Sequence, residues 1–360
     1  MNVISISRVA GWSGLIALAL AAQTALAEPF VYVPLGGENK IVVIDAAKDE
    51  IVDTISGLAA VHGLAGTPDG RFLIAGSFET RTSGAGGEAV AKPTGVSEGE
   101  HAAHHGAASA DAKNAAAEVS TVSVVRTADG SVVRRIDVPG AVHHVAVSSD
   151  GRFAVVIHPN EGAISAIDLS SYEVIATVAT GPLPNYATFA PGGDRLYVSN
   201  AGNNTVSEID TARWIVRSNT VVGGSPEHIV LSKDGATLYV NNVDDGTVSV
   251  LDAGDAKVVK TIPIGTTLHG IDLSDDGGTL FVAALGDDKV TAVDLATSAE
   301  RSGSLAPAPY HLAVIRGTGK LYVSSADEPK IWVVDQQDLK ARGEIQIGAK
   351  GHQMVQSTGR

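Results

Sequence analysis

PEHIVLSKDGATLYVNNVDDGTVSVLD, residues 226–252, carries the pattern from which the architecture of the chain follows. It opens on a polar head, runs through Ile229, Val230 and Leu231, and turns at Lys233-Asp234-Gly235. A second run, Ala236 to Val240, leads to a turn at Asp244-Asp245-Gly246, and a third closes on Leu251-Asp252. Gly and Asp clusters between alternating β-branched runs are hairpin signals, so the stretch reads as a three-stranded meander.

The closing dipeptide returns as Ile44-Asp45, Ile167-Asp168, Ile209-Asp210, Val293-Asp294 and Val334-Asp335. From Asp168 onward these aspartates are 42, 42, 42 and 41 residues apart. A further unit closes at Thr127, 41 residues before Asp168 and 82 after Asp45, so that gap holds one period plus about 40 extra residues. This period with strand-turn-strand text predicts an all-β fold, a single seven-bladed β-propeller of four-stranded blades over residues 28–360. Residues 30–58 supply the second, third and outer strands of a blade without an innermost one. GHQMVQS, 351–357, reads as an innermost strand with nothing after it. Pairing of this C-terminal strand with the N-terminal blade is expected to close the ring and remove an exposed edge.

Tyr197-Val198-Ser199-Asn200 and Tyr239-Val240-Asn241-Asn242, each followed by a polar turn and Thr-Val-Ser, resemble the motif of the YVTN-type β-propeller family. Phe281 to Ala284 and Tyr322 to Ser325 are weaker copies. The resemblance implies the fold over nearly the whole chain and says little of function.

Residues 1–27 read as a signal peptide: Arg8 is the basic region, Leu15 to Ala22 the apolar core, and Ala25-Leu26-Ala27 the cleavage site. A periplasmic protein cleaved after Ala27 is expected, with no membrane insertion. The chain has no cysteine, which excludes disulfides, thiolate metal sites and cysteine catalysis. Its net charge of −14 repels nucleic acid and anionic lipid and suits a freely diffusing protein or a basic or cationic partner, so no nucleic-acid partner is expected; a monomer is expected.

Residues 79–118 break every pattern. They are rich in Gly, Ala and Ser, too poor in large apolar side chains to offset ordering entropy, and read as a flexible insertion between the second and third strands of the second blade. Within them His101, His104 and His105 stand near Glu98, Glu100 and Asp111, a composition suited to weak, exchangeable metal capture.

Aligned repeats place two adjacent positions at the head of each innermost strand. The first reads His62, His143, Asn185, Glu227, His269, Tyr310 and His352; the second reads Gly63, His144, Tyr186, His228, Gly270, His311 and Gln353. Seven of the eleven histidines fall in these fourteen positions, where random placement puts roughly half of one. Strand alternation allows only one of each pair to face the channel squarely. Imidazoles converging on a channel mouth can ligate zinc, with Cu(II) behind it; the scarcity of Met and absence of Cys argue against Cu(I). The ligands are sought among His62, His143, His269, His311 and His352, on consecutive blades, with His144, His228 and Glu227 beside them. The rival reading is structural: Gly-His dipeptides in WD-type propellers bond inside the blade, although the Trp-Asp of that network is missing here. His158, where Asn200 and Asn242 stand in other blades, reads as a satisfied polar core or loop residue.

Fold, leader, histidine ring and insertion together resemble the periplasmic zinc metallochaperones of zinc-import systems. That resemblance implies Zn2+ binding and delivery to the periplasmic solute-binding protein of a metal transporter. Two alternatives stand beside it: an interaction propeller with structural histidines, and a tetrapyrrole- or copper-binding propeller. No Ser-His-Asp or paired-carboxylate arrangement stands out, so a non-catalytic protein is expected.

Overall fold

The computed structural model describes residues 29–82 and 118–357; residues 1–27, read above as a signal peptide, and His101, His104 and His105 lie outside them. Seven antiparallel sheets follow one another along the chain, and blades three to seven are each a meander from innermost to outermost strand. Blade five, the stretch that opened the sequence reading, runs Pro226–Leu231, Thr237–Asn242, Thr247–Asp252 and Lys257–Pro263. Blade one is completed from the far end of the chain. Val355–Ser357 pairs with Phe30–Leu35 through Phe30↔Ser357, Val31↔Gln356 and Tyr32↔Val355, so the ring closes as expected.

Each sheet presents apolar residues on both faces, and the core lies between neighbouring blades. Between blades five and six, Tyr239, Val248 and Val250 pack against Ile271, Leu280 and Val282. Among the described residues, no helix is long and apolar enough to cross a membrane.

The recurrent motif letters hold individual blades together. The Asn200 amide donates to Thr205 Oγ1 (3.1 Å) and Ser207 Oγ (2.9 Å), and Asn242 does the same to Thr247 and Ser249 at 2.9 Å each. His158 takes this position in blade three, with Nε2 2.9 Å from Ser165 Oγ and Nδ1 3.2 Å from the Ala141 carbonyl. It is a satisfied core residue. The closing aspartates cap their own turns: Asp210 Oδ1 accepts the backbone N–H groups of Ala212 and Arg213.

Blade two interrupts the pattern. The patternless stretch expected at 79–118 has ordered roots: Arg81–Thr82 is a short strand paired with Val119 and Glu118, extending the long strand Glu118–Arg126. Two paired residues at each end are enough to anchor the insertion without strand periodicity in its sequence.

Candidate metal centre

The head of each innermost strand has a local geometry that aims its side chains. Ala60, Leu183, Ser225, Thr267 and Ala308 are left-handed (φ 40 to 53°), each two residues ahead of the first of the paired positions. Such backbone is unfavourable for residues other than glycine and persists where surrounding structure over-determines it. A β-bulge follows. In blade five Pro226 pairs with Asn242 and Ile229 with Val240, so Glu227 and His228 share one opposite residue, Asn241. The same shift occurs at Pro184/Ala187, Leu268/Ile271 and Pro309/Leu312. In blade three Ile157 accepts from the His143 N–H and donates to the His144 carbonyl. A bulge re-aims side chains locally. Strict alternation therefore does not hold at these positions, and both residues of a pair can border the channel end.

Second-strand polar residues fix these bulges. Ser199 Oγ accepts from the Tyr186 N–H and donates to the Glu227 carbonyl of the next blade. Asn241 Nδ2 donates to the His269 carbonyl, and Ser324 Oγ accepts from the His311 N–H. The third letter of the Tyr-Val-Ser/Asn motif thus positions the histidine-bearing backbone.

The seven histidines are all buried. His144, His228 and His311 each offer a ligand atom such that the three atoms lie within 4.8 Å of one another. Two imidazole nitrogens on one tetrahedral zinc, bound at about 2.0–2.1 Å, stand about 3.3 Å apart, so closing the trio takes a movement of no more than about 1.5 Å. The Nε2 atoms of all three are buried with no hydrogen-bond partner. For His144 the tautomer follows from geometry: Nδ1 lies 2.8 Å from the Asn185 carbonyl, which can only accept, so Nδ1 carries the hydrogen and Nε2 the lone pair. A backbone carbonyl orienting a ligand imidazole is the usual outer-shell arrangement of a metal site. The donor set suits a borderline divalent ion.

The three come from blades three, five and seven, alternate blades rather than consecutive ones. Of the five histidines that the sequence put foremost, only His311 is among them. The others flank the trio: the rings of His62 and His352 are 3.9 Å apart, those of His62 and His143 4.9 Å, and those of His143 and His144 4.0 Å. His269 packs between His228 (4.3 Å) and His311 (4.6 Å), with its Nε2 3.6 Å from Glu227 Oε2.

Burial sets the charge state. It pushes the His228 imidazole down to about 3 and His62 to about 4, and holds His144 and His311 well below the ordinary value. Neighbouring imidazoles add repulsion at His144 and His311. Burial, with a smaller contribution from Asp244, pushes Glu227 up to about 8. The Glu227 carboxyl that faces His269 is therefore protonated at pH 7. The neutral imidazoles of His144, His228 and His311 are ready to ligate without first losing protons.

Beyond the histidines the C-terminal segment crosses the channel. Gln353 Oε1 accepts the N–H groups of Leu64 (3.0 Å) and Val145 (3.2 Å), and Nε2 donates to the Val145 carbonyl (3.0 Å). Tyr186, packed on His144 at 4.8 Å, stands beside it. Both also line a cavity of about 520 Å3 on the far side, together with Val230, Asp272 and Ala313. Gln353 and Tyr186 entered the sequence reading only as members of the second aligned position, and the rim residue Phe78, stacked on His62 at 5.0 Å, was not singled out from sequence. The alternate-blade trio did leave a signal there: its members are 84 and 83 residues apart, two periods each.

Fold and site define a seven-bladed β-propeller with a histidine-lined channel mouth. Residues 158–320 match the family model described as Lactonase, 7-bladed beta-propeller. No curated protein matches the chain. Among solved structures it is similar to a hydrazine synthase of Kuenenia stuttgartiensis (18% identity, TM-score 0.60, 82% of this chain and 86% of that one). It is also similar to a functionally unknown protein from Desulfotomaculum acetoxidans DSM 771 (16%, TM-score 0.67, 90% and 99%). A third is the dihydro-heme d1 dehydrogenase NirN in complex with DHE (14%, TM-score 0.63, 91% and 66%). At these identities the likeness is one of fold.

Proposed function

We propose that the chain is an exported metal-binding propeller that holds one divalent transition metal on His144, His228 and His311. Zinc is the first choice and Cu(II) the second. The observation that carries this reading is a trio of buried imidazoles, each with a ligand nitrogen within 4.8 Å of the other two and each with an Nε2 that has no hydrogen-bond partner. Buried polar atoms are rarely left unpaired without a reason, and a missing ligand is one such reason. Three imidazoles leave a tetrahedral ion one position for exchange, whereas purely structural zinc sites are closed by four protein ligands. An exchangeable ion suits a carrier, and the acceptor proposed is a solute-binding protein of a metal transporter. The segment with His101, His104 and His105 is rooted at Thr82 and Glu118. In this reading those histidines capture metal for the site.

Metal analysis after gentle purification, followed by competition titration, tests the proposal. The expected result is about one zinc or copper per chain with no Soret absorption, and a dissociation constant raised at least about a hundredfold in His228→Ala. A metal-free protein that binds neither ion would overturn it. Carrier function also implies that the zinc-loaded protein does not hydrolyse lactones above the rate of free zinc.

A further inference from the structure

The trio is buried, so an ion has to reach it from somewhere, and the histidines that do not belong to it are unevenly placed. Residue Phe78 follows the second strand of blade two, where Val61 pairs with Ser77, and is 41% exposed. Its ring stacks on His62 at 5.0 Å and lies 6.1 Å from His143. From there imidazoles follow without a break: His62 to His143 at 4.9 Å, then His143 to the ligand His144 at 4.0 Å. The His62 Nδ1 lies 3.0 Å from the His143 carbonyl, an acceptor only, so His62 keeps its lone pair on Nε2. Starting in blade two, which carries the insertion roots, and passing to blade three, this file of rings leads from an accessible rim to the buried ligands.

We infer that His62 and His143 form an inward relay, passing a divalent cation from the rim of blade two to His144 by successive ligand exchange. The inference rests on the site proposed above. Each step forms one metal–imidazole bond as another breaks, with no change of oxidation state. Neither residue is needed for the final coordination. A relay used in both directions lowers the barrier without altering the end states, so its loss slows association and dissociation by the same factor.

The test follows binding of Co2+ alone to the full chain by stopped-flow absorption, with equilibrium titrations alongside. For His62→Asn and for Phe78→Ala with His62→Gln, both rates are expected to fall about tenfold or more while affinity stays within about twofold. His228→Ala is the comparison, expected to lose affinity. Unchanged rates in folded His62 variants would overturn the relay and leave the site intact. Affinity lost in His62→Asn but kept in His228→Ala would overturn the site itself, and the relay with it. Circular dichroism identifies a variant that has not folded, in which case His62→Phe, which keeps the stacking, replaces it.

Discussion

At the level of single residues, the proton competes with metal only where it can reach a ligand. An exposed histidine would lose zinc as pH falls through about 6.5. Here burial pushes His228 down to about 3 and keeps His144 and His311 well below the ordinary value. Zinc affinity should therefore stay nearly flat from pH 7 to about pH 5 once buffer and competitor effects are removed. A tenfold loss per pH unit starting at 6.5, in calorimetric titrations, would show the ligands to be solvated. Folding stability behaves differently. The unfolded chain takes up protons at these histidines near pH 6.5 and the folded chain does not, so apo stability falls as pH drops below about 6.5. The slope reaches up to about 1.4 kcal/mol per pH unit for each such histidine. The apo melting temperature should fall accordingly between pH 7 and pH 5. The residue types at the site were legible from sequence as an excess of histidine at two aligned positions. Which of them converge was not, because the alternation rule ignores the bulge that turns Glu227 and His228 about one opposite residue.

The strand and its bulge are the next unit up, and here sequence text and structure agree most closely. Turn letters, strand letters and the two-residue head recur in register, since each blade solves the same packing problem. What the motif is for was less visible. Asn241 and Ser199 look like strand filler, yet each reaches across a blade boundary to a carbonyl next to a channel histidine. Replacing Asn241 by Ala leaves the buried His269 carbonyl without that donor and should cost about 1–3 kcal/mol of stability. The same change should weaken zinc binding by loosening the bulge next to His228; an unaltered melting curve and titration would show that the bulge holds its shape without the bond. The insertion is the counter-case. Replacing residues 83–117 by a short Gly-Ser linker keeps the Arg81–Thr82 pairing with Val119 and Glu118, and changing the length of a surface loop costs little closure entropy. Melting temperature and equilibrium zinc affinity should both be retained, while metal transfer to an acceptor slows. Loss of the fold would place part of the segment inside a blade.

For the whole molecule, the ring depends on a short contribution from the far end of the chain. The pattern of seven repeats, with an incomplete first blade and a leftover final strand, foretold the closure. It did not foretell how closure meets the site. His352 stacks on His62, and the adjacent Gln353 bridges the innermost strands of blades two and three. Neither contact can be read from repeats, because both join residues more than 200 positions apart. Deleting residues from Gly351 onward removes the three-residue strand and the Gln353 bridge together, and should lower the melting temperature by roughly 10 °C or more. Gln353→Ala separates the two effects. It keeps Val355–Ser357 in place but strips the acceptor from the Leu64 and Val145 N–H groups, a loss of about 1–3 kcal/mol. The trio stands on blades three, five and seven, none of which is completed by the C-terminal strand. Gln353→Ala should therefore melt earlier, and because Val145 directly follows His144, its zinc affinity at 25 °C should change far less than that of His228→Ala. If affinity fell in step with stability, closure of the ring and assembly of the metal centre would be one cooperative event rather than two.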